Sequence, residues 1–279
     1  MTEYAASWSG GKDSCFACWK AVSQGLKVSH LLNFINTDST RAMAHGLNPR
    51  LIALQAQAMG LPILQQKVTW ETYEAGFKKA LAELKLKGIT GLITGDIYLQ
   101  EHKDWIDRVC GELGVKAILP LWKIDSAQLL SGFIEADFKA IIVSVKAEFL
   151  GKEWLGRQVD SKLASELTRL NIDVCGEAGE FHTFVYDGPS FKKPVKIGKS
   201  VPISRDSHWT LDIQEYSLFG NPACHSEHSP SCHSEGAKRP KNLNLRHSEP
   251  FPYCHSDAEP FPSCHSDAEQ SEEEESQPQ

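Results

Sequence analysis

Through the first 150 residues, short apolar runs alternate with longer stretches in which apolar positions recur every three or four residues. The short runs at 4–7, 28–36, 62–67, 91–95, 116–119 and 140–145 predict strands. Between them the spacing is helical. A helix starts near Asp13; Tyr73, Phe77, Leu81 and Leu84 share a face, as do Trp105, Ile106, Val109 and Leu113, and Leu129, Leu130, Phe133, Ile134 and Phe138 form a third stripe. Such alternation predicts an α/β fold: a Rossmann-like, doubly wound parallel sheet with helices on both faces. Ligands of such sheets sit outside the carboxyl ends of the strands. After about Glu148 the alternation stops. Residues 151–170 read as helix, 181–186 as a strand and 195–215 as further strands, a smaller C-terminal α+β subdomain expected to fold over the first. The boundaries expected are 1–147 for the first domain, 148–217 for the second and 218–279 for a low-complexity, disordered tail.

Composition changes this picture mainly at the tail. From about Asn221 the chain is dominated by Ser, His, Pro, Cys and Glu, with Cys-His-Ser recurring at Cys224, Cys232, Cys254 and Cys264. The irregular spacing of those Cys-His pairs matches no common zinc-finger arrangement. The net charge of −7 belongs to this tail: it holds 4 of the 29 Lys+Arg and 11 of the 36 Asp+Glu, leaving 25 of each before it. A neutral body offers no surface for bulk nucleic-acid binding. No apolar stretch approaches a membrane span and no signal peptide stands at the N-terminus. Four scattered cysteines in the body, Cys15, Cys18, Cys110 and Cys175, suit a reduced, cytoplasmic protein. Cys15 and Cys18 have redox spacing, but inside a helix an i,i+3 pair mostly packs.

The chemistry is concentrated in residues 7–14, Ser-Trp-Ser-Gly-Gly-Lys-Asp-Ser, at the first strand–helix junction. Gly10 and Gly11 allow a tight turn in which successive N–H groups face one anion, and the helix dipole adds to that field. Lys12 brings a full positive charge; Ser7, Ser9 and Ser14 bring hydroxyls. The spacing is not that of a Walker A loop. Two other strand ends, Asp38 after the second strand and Gly95-Asp96 after the fourth, are expected to converge on this loop. Asp13 is positioned to cap the helix or to help hold magnesium. A second glycine-rich segment, Cys175-Gly-Glu-Ala-Gly-Glu-Phe-His-Thr, places Glu177 and Glu180 three residues apart.

Ser-Gly-Gly-Lys-Asp-Ser resembles the pyrophosphate loop of the N-type ATP pyrophosphatases. With the Gly95-Asp96 strand end, the 175–187 segment, the Phe-Ile-Glu-Ala-Asp-Phe-Lys-Ala stretch at 133–140 and Trp154-Leu-Gly-Arg157, residues 3–217 resemble the diphthine–ammonia ligase family. The resemblance implies a HUP-type sheet and an enzyme that uses ATP and Mg2+ to adenylate a carboxylate, with ammonia then displacing AMP. In that family the acceptor is diphthine on elongation factor 2. Carried onto this chain, it implies nucleotide contacts from Ser7, Ser9, Gly10, Gly11, Lys12, Asp13, Ser14, Asp38 and Gly95. It implies catalytic roles for Lys12, Asp96, Glu177 and Glu180, the two glutamates orienting or deprotonating ammonium, and substrate contacts from Arg157, His182 and Glu101. The chain departs from versions reading Gly-Glu-x-Gly-Glu-Tyr-Glu-Thr, since Phe181 and His182 follow Glu180, and its fourth-strand loop reads Gly95-Asp-Ile-Tyr-Leu-Gln-Glu-His. Both departures lie where acceptor contact is expected, so a different acceptor is a second expectation. A tRNA-modifying ATP pyrophosphatase and a nucleotide sensor of the universal stress protein type are the alternatives.

Overall fold

The computed structural model describes residues 2–39, 41–205, 207–220 and 224–225. Five parallel strands form the first sheet: β1 (Glu3–Ser7), β2 (Lys27–Asn36), β3 (Ile63–Val68), β4 (Ile89–Ile93) and β5 (Lys116–Ile118), in the order β3-β2-β1-β4-β5. The chain therefore reverses its direction of winding between β1 and β4, and the carboxyl ends there open a crevice. The intervening helices are α1 (Lys12–Ser23), α2 (Pro49–Met59), α3 (Tyr73–Leu86) and α4 (Gln100–Glu112).

Adjacent strand residues go to opposite cores. Ala6, Leu31 and Ile93 pack with α1 and α2, whereas Ala5, Leu32 and Leu92 pack with α3 and α4 through Phe77, Leu81, Trp105 and Val109. Burial on both faces is why these strands read as continuous apolar runs rather than as alternating ones.

The sixth apolar run departs from expectation. After α5 (Ser126–Glu135), β6 (Lys139–Lys146) joins a separate antiparallel sheet, ordered β7-β6-β10-β9, with β7 (Phe181–Asp187), β9 (Ser200–Arg205) and β10 (His208–Ile213). The reason is the aromatic cluster: Phe133 of α5 stacks on Phe138 at 5.0 Å, and both meet Phe16 of α1 edge-on at 6.0 and 6.2 Å. That contact seats α5 against α1, so the chain re-emerges beyond the first sheet instead of beside β5. Residues 151–170 differ too. They form a 3-10 turn (Lys152–Trp154), an extended stretch and then α6 (Ser161–Arg169). The extended stretch is held by β6: Gly156 and Val159 N–H donate to Ile142 and Ala140 carbonyls, and Ile142 N–H donates to Arg157. Left-handed Gly156 (φ 78°) makes the turn that begins it.

A third sheet orders β12-β11-β8, from β8 (Val195–Ile197), β11 (Glu215–Leu218) and β12 (Cys224–His225). The backbone of Cys224–His225 pairs with Glu215 and Tyr216, past the expected start of the tail. The other Cys-His repeats lie outside the described residues. Core residues Ala140, Ile142, Phe184 and Val185 belong to the same cluster as α1 and α2, so one hydrophobic core joins the two halves.

Candidate active site

The loop between β1 and α1 stands where the sequence places it, but the second half of the chain finishes it. Gly10 is left-handed (φ 86°), and a Cβ there would fall 2.5 Å from Ile52. A Cβ on Gly95 would lie 2.8 Å from the backbone of Asp13 and Ser14, so the end of β4 can touch the start of α1 only as glycine. Ser9 Oγ and Ser14 Oγ are 3.1 Å apart, Ser9 Oγ accepts from Gly11 N–H at 3.3 Å, and Ser14 donates to Gly11 O. From β7, Val185 N–H donates to Gly10 O at 3.0 Å, and Thr183 Oγ1 accepts from Lys12 N–H at 3.0 Å. Ser7 closes β1 beside Leu32.

Lys12 is buried, and its ammonium donates to both oxygens of Asp13 (2.9 and 2.8 Å) and to the carbonyl of Cys175. Burial works against its charge, yet Asp13, Cys175 and Glu177 together carry its pKa upward, so the cation is permanent. The 175–180 segment is shaped by Asp173, which accepts from the Cys175 and Glu177 N–H groups and from Tyr98 Oη. Glu177 reaches across to accept from Ile97 N–H at 3.0 Å, binding this segment to the end of β4. Burial pushes its carboxyl up to about 7; the Ile97 N–H opposes this and the charges of Asp13 and Asp96 add to it. Glu180 is 9% exposed and its Oε2 has no hydrogen-bond partner among the described residues. Asp96 lies 3.3 Å from His102 Nδ1. Burial raises the Asp96 carboxyl, but His102, Thr94 and its own backbone N–H together outweigh it and the net shift is downward; the contact with Asp96 raises His102.

The structure thus brings together the loop, Gly95, Asp96, Glu177 and Glu180. Asp38 is exposed in the turn after β2, its N–H donating to Asn36 Oδ1. His182, on β7, stacks on His45 beside the loop with ring centroids 4.6 Å apart. Arg157 is engaged elsewhere: it donates to Glu166 at 2.8 Å and lies over the Trp154 ring at 4.2 Å. Glu101 is exposed in the first turn of α4. Both oxygens of Asp13 accept from Lys12, and no group of three His, Cys, Asp or Glu that could hold a metal occurs among the described residues. Cys15, Cys18 and Cys175 are buried, and burial pushes the Cys18 and Cys175 thiols up to about 12, which suits packing rather than redox or nucleophilic work.

Gln55, Thr183 and His45 were missed by sequence reasoning. Gln55 is fully buried on α2; its amide donates to Gly10 O (2.9 Å) and Val185 O (2.6 Å), and its oxygen accepts from Trp8 Nε1 (3.1 Å). A signal existed: Gln55 occupies a core position of the Leu51, Ile52, Ala56, Met59 stripe, where a polar side chain must find partners.

Residues 2–117 match the diphthamide synthase N-terminal domain and residues 125–218 match the diphthamide synthase C-terminal domain. The chain belongs to the diphthamide synthase family. The join between the two domains of this family falls between β5 and α5, where the parallel sheet ends. Similar proteins include the diphthine–ammonia ligase of Mus musculus, 28% identical over 223 residues (70% of this chain, 83% of the relative), and that of Homo sapiens, 28% identical over 221 residues (70% and 83%). The Schizosaccharomyces pombe relative is 29% identical over 211 residues, 68% of this chain but 35% of its own length. Among solved structures, a predicted subunit of tRNA methyltransferase from Methanocaldococcus jannaschii matches at 15% identity and a TM-score of 0.39, over 67% of this chain and 98% of that one.

Proposed function

We propose that this chain is an ATP-dependent amide ligase of diphthamide synthesis, forming AMP and pyrophosphate while it converts the carboxylate of diphthine on elongation factor 2 to an amide with ammonia. The observation that carries this reading is the junction of the two glycine-rich segments: Lys12 of the loop bonded to Cys175 O, and Glu177 bonded to the end of β4.

The steps follow from what surrounds that junction. An acceptor carboxylate oxygen attacks the α-phosphorus; the bond from that phosphorus to the bridging oxygen breaks, and pyrophosphate departs with the electron pair. The loop N–H groups, Ser9, Ser14 and Lys12 neutralise the departing charge. Incoming phosphates compete with Asp13 and Cys175 O for the Lys12 ammonium. Ammonia then adds to the acyl carbon and AMP leaves. The attacking nitrogen sheds a proton, and Glu177, with a carboxyl near neutrality, is matched to accept it. Glu180 supplies an uncommitted oxygen that suits an ammonium ion. In this reading Asp38 and Gly95 meet the nucleoside, and Asp96, held by His102, keeps negative charge near Glu177.

No helix among the described residues is long and apolar enough to cross a membrane, and a cytoplasmic location accords with an acceptor that is a translation factor. The test is product analysis of ATP incubated with ammonium and diphthine-bearing elongation factor 2. AMP plus pyrophosphate appearing only with the acceptor supports the reading. ADP plus phosphate, or binding without turnover, removes it.

A further inference from the structure

The steps of the ligase reading leave unused a pair of histidines, one of which, His182, stands two residues after Glu180 in the second glycine-rich segment. His45 comes from the segment after β2 and His182 from β7; their rings stack at 4.6 Å with 24° between planes. The pair lies directly against the nucleotide loop. A Cβ built on Gly11 would fall 2.2 Å from His45 Cε1, so the imidazole edge occupies the space that glycine leaves open in the middle of the cradle. We propose that His45 and His182 form a second wall of the polyphosphate site, an imidazole pair that contacts the pyrophosphate half of the nucleotide and takes up a proton as it binds. The proposal rests on the reading of the loop as a pyrophosphate cradle.

Hydrogen bonding dictates the chemistry. His45 Nδ1 lies 3.1 Å from Thr183 O. A carbonyl only accepts, so Nδ1 carries the hydrogen and Nε2 keeps a lone pair in the neutral ring. A phosphate oxygen can approach that nitrogen only after a proton, drawn from solvent, has been added there. On His182 no hydrogen bond to either ring nitrogen exists among the described residues, so both nitrogens are available to a ligand.

The charges facing the pair explain why it waits. On α1 stands Lys12, permanently cationic; His208 of β10 faces His182; on β6, Ser144 is in register with His182 and Lys146 with His208. Burial and the Lys12 charge bring the His45 ring down to about 4, although its bond to Thr183 pulls the other way, and burial with His45, His208 and Lys12 brings His182 well below the ordinary range. A second fixed cation beside Lys12 would be repelled while the site is empty. An imidazole pair adds its charge only when a polyanion arrives to offset Lys12, and gives the proton back when the anion leaves. Stacked rings share the load: one protonated ring suppresses the second, so about one proton per binding event is expected.

Inorganic pyrophosphate is the probe, titrated calorimetrically into the full chain in buffers of different ionisation enthalpy, with AMP as a control ligand. Wild-type protein should take up about one proton. Proton uptake means that affinity falls as pH rises from the free-state value toward the bound-state value, by up to about tenfold per pH unit. His45→Gln and His182→Gln cannot be protonated. Because either ring can take the single proton, each single variant should keep part of the uptake, and the double variant should lose most of it and weaken pyrophosphate binding about tenfold at pH 6, with AMP affinity and Tm unchanged. The wild-type-to-variant affinity ratio should shrink toward pH 8, which cancels the ionisation of pyrophosphate itself. Wild-type binding without proton uptake, or variants that bind as wild type does, would overturn the pair alone. Failure of wild-type protein to bind pyrophosphate at all would overturn the cradle with it. The wild-type proton count stands even if a variant does not fold.

Discussion

Gln55→Met tests how much the loop owes to a single buried amide. Methionine matches the shape of glutamine closely, so the cavity contribution is small and the change removes polar bonds almost alone. Gly10 O keeps its bond from Val185 N–H, whereas Val185 O and the Trp8 indole N–H, both served by Gln55, lose a partner in a dry interior. Leaving a buried donor or acceptor unpaired costs about 1–3 kcal/mol. Two such groups, with some local relaxation, put the expected loss at about 2–4 kcal/mol. Gln55→Ala should cost roughly 1–2 kcal/mol more, because it opens a cavity as well. Urea denaturation reads the stability, and titration with pyrophosphate and AMP reads the loop. Pyrophosphate affinity should fall while AMP affinity holds, since the amide fixes Gly10 and not the nucleoside side. A loss below about 1 kcal/mol for the methionine variant, with pyrophosphate binding intact, would refute the reasoning: the three bonds would then be geometry without consequence.

Three further variants of the site give four expected outcomes. Lys12→Met should lower AMP-forming turnover by about 10²–10³-fold, the scale on which loss of one transition-state charge partner is felt; turnover within tenfold of wild type would remove the lysine from the chemistry. Glu177→Gln keeps an acceptor for Ile97 N–H but cannot take a proton, so amide formation should fall and the acidic limb near pH 7 should vanish from the pH–rate profile. The same variant should be more stable than wild type at pH 8. Because the folded carboxyl titrates above its unfolded value of 4.5, wild-type stability declines as pH rises from there to about 7, and the variant escapes a cost on the order of 1–3 kcal/mol; equal urea midpoints at pH 8 would contradict this. Gly95→Ala forces a methyl to within 2.8 Å of the α1 backbone, so ATP affinity should drop at least tenfold in a filter-binding assay, and unchanged affinity would show that α1 can shift without harm.

The parallel sheet was legible because burial on both faces leaves unbroken apolar runs, and every expected strand from 4–7 to 116–119 appears within a residue or two. The run at 140–145 looks no different, since a central antiparallel strand in a covered sheet is just as apolar; what diverts it is the packing of Phe133 and Phe138 on Phe16, which no local pattern displays. The 151–170 region misled for a related reason: its Leu155 and Val159 have helical spacing, but left-handed Gly156 and the carbonyls of β6 draw the backbone into extended pairing. In the site, the loop and Glu177 were readable as motifs. His45, Thr183 and Gln55 were not, because each works through the backbone of a segment distant in sequence.

That last feature bears on how the protein is made. Lys12 N–H is satisfied by Thr183 and Gly10 O by Val185, partners that are synthesised more than 170 residues later. As the chain leaves the ribosome, the parallel sheet can assemble once β5 has emerged, since domains form from the N-terminus onward. Its nucleotide loop still lacks Thr183, Val185 and the Cys175 carbonyl. A nascent chain that ends after β5 therefore has a nucleotide loop whose hydrogen bonds to the second half of the chain are still unmade, and they form only once β7 has been synthesised.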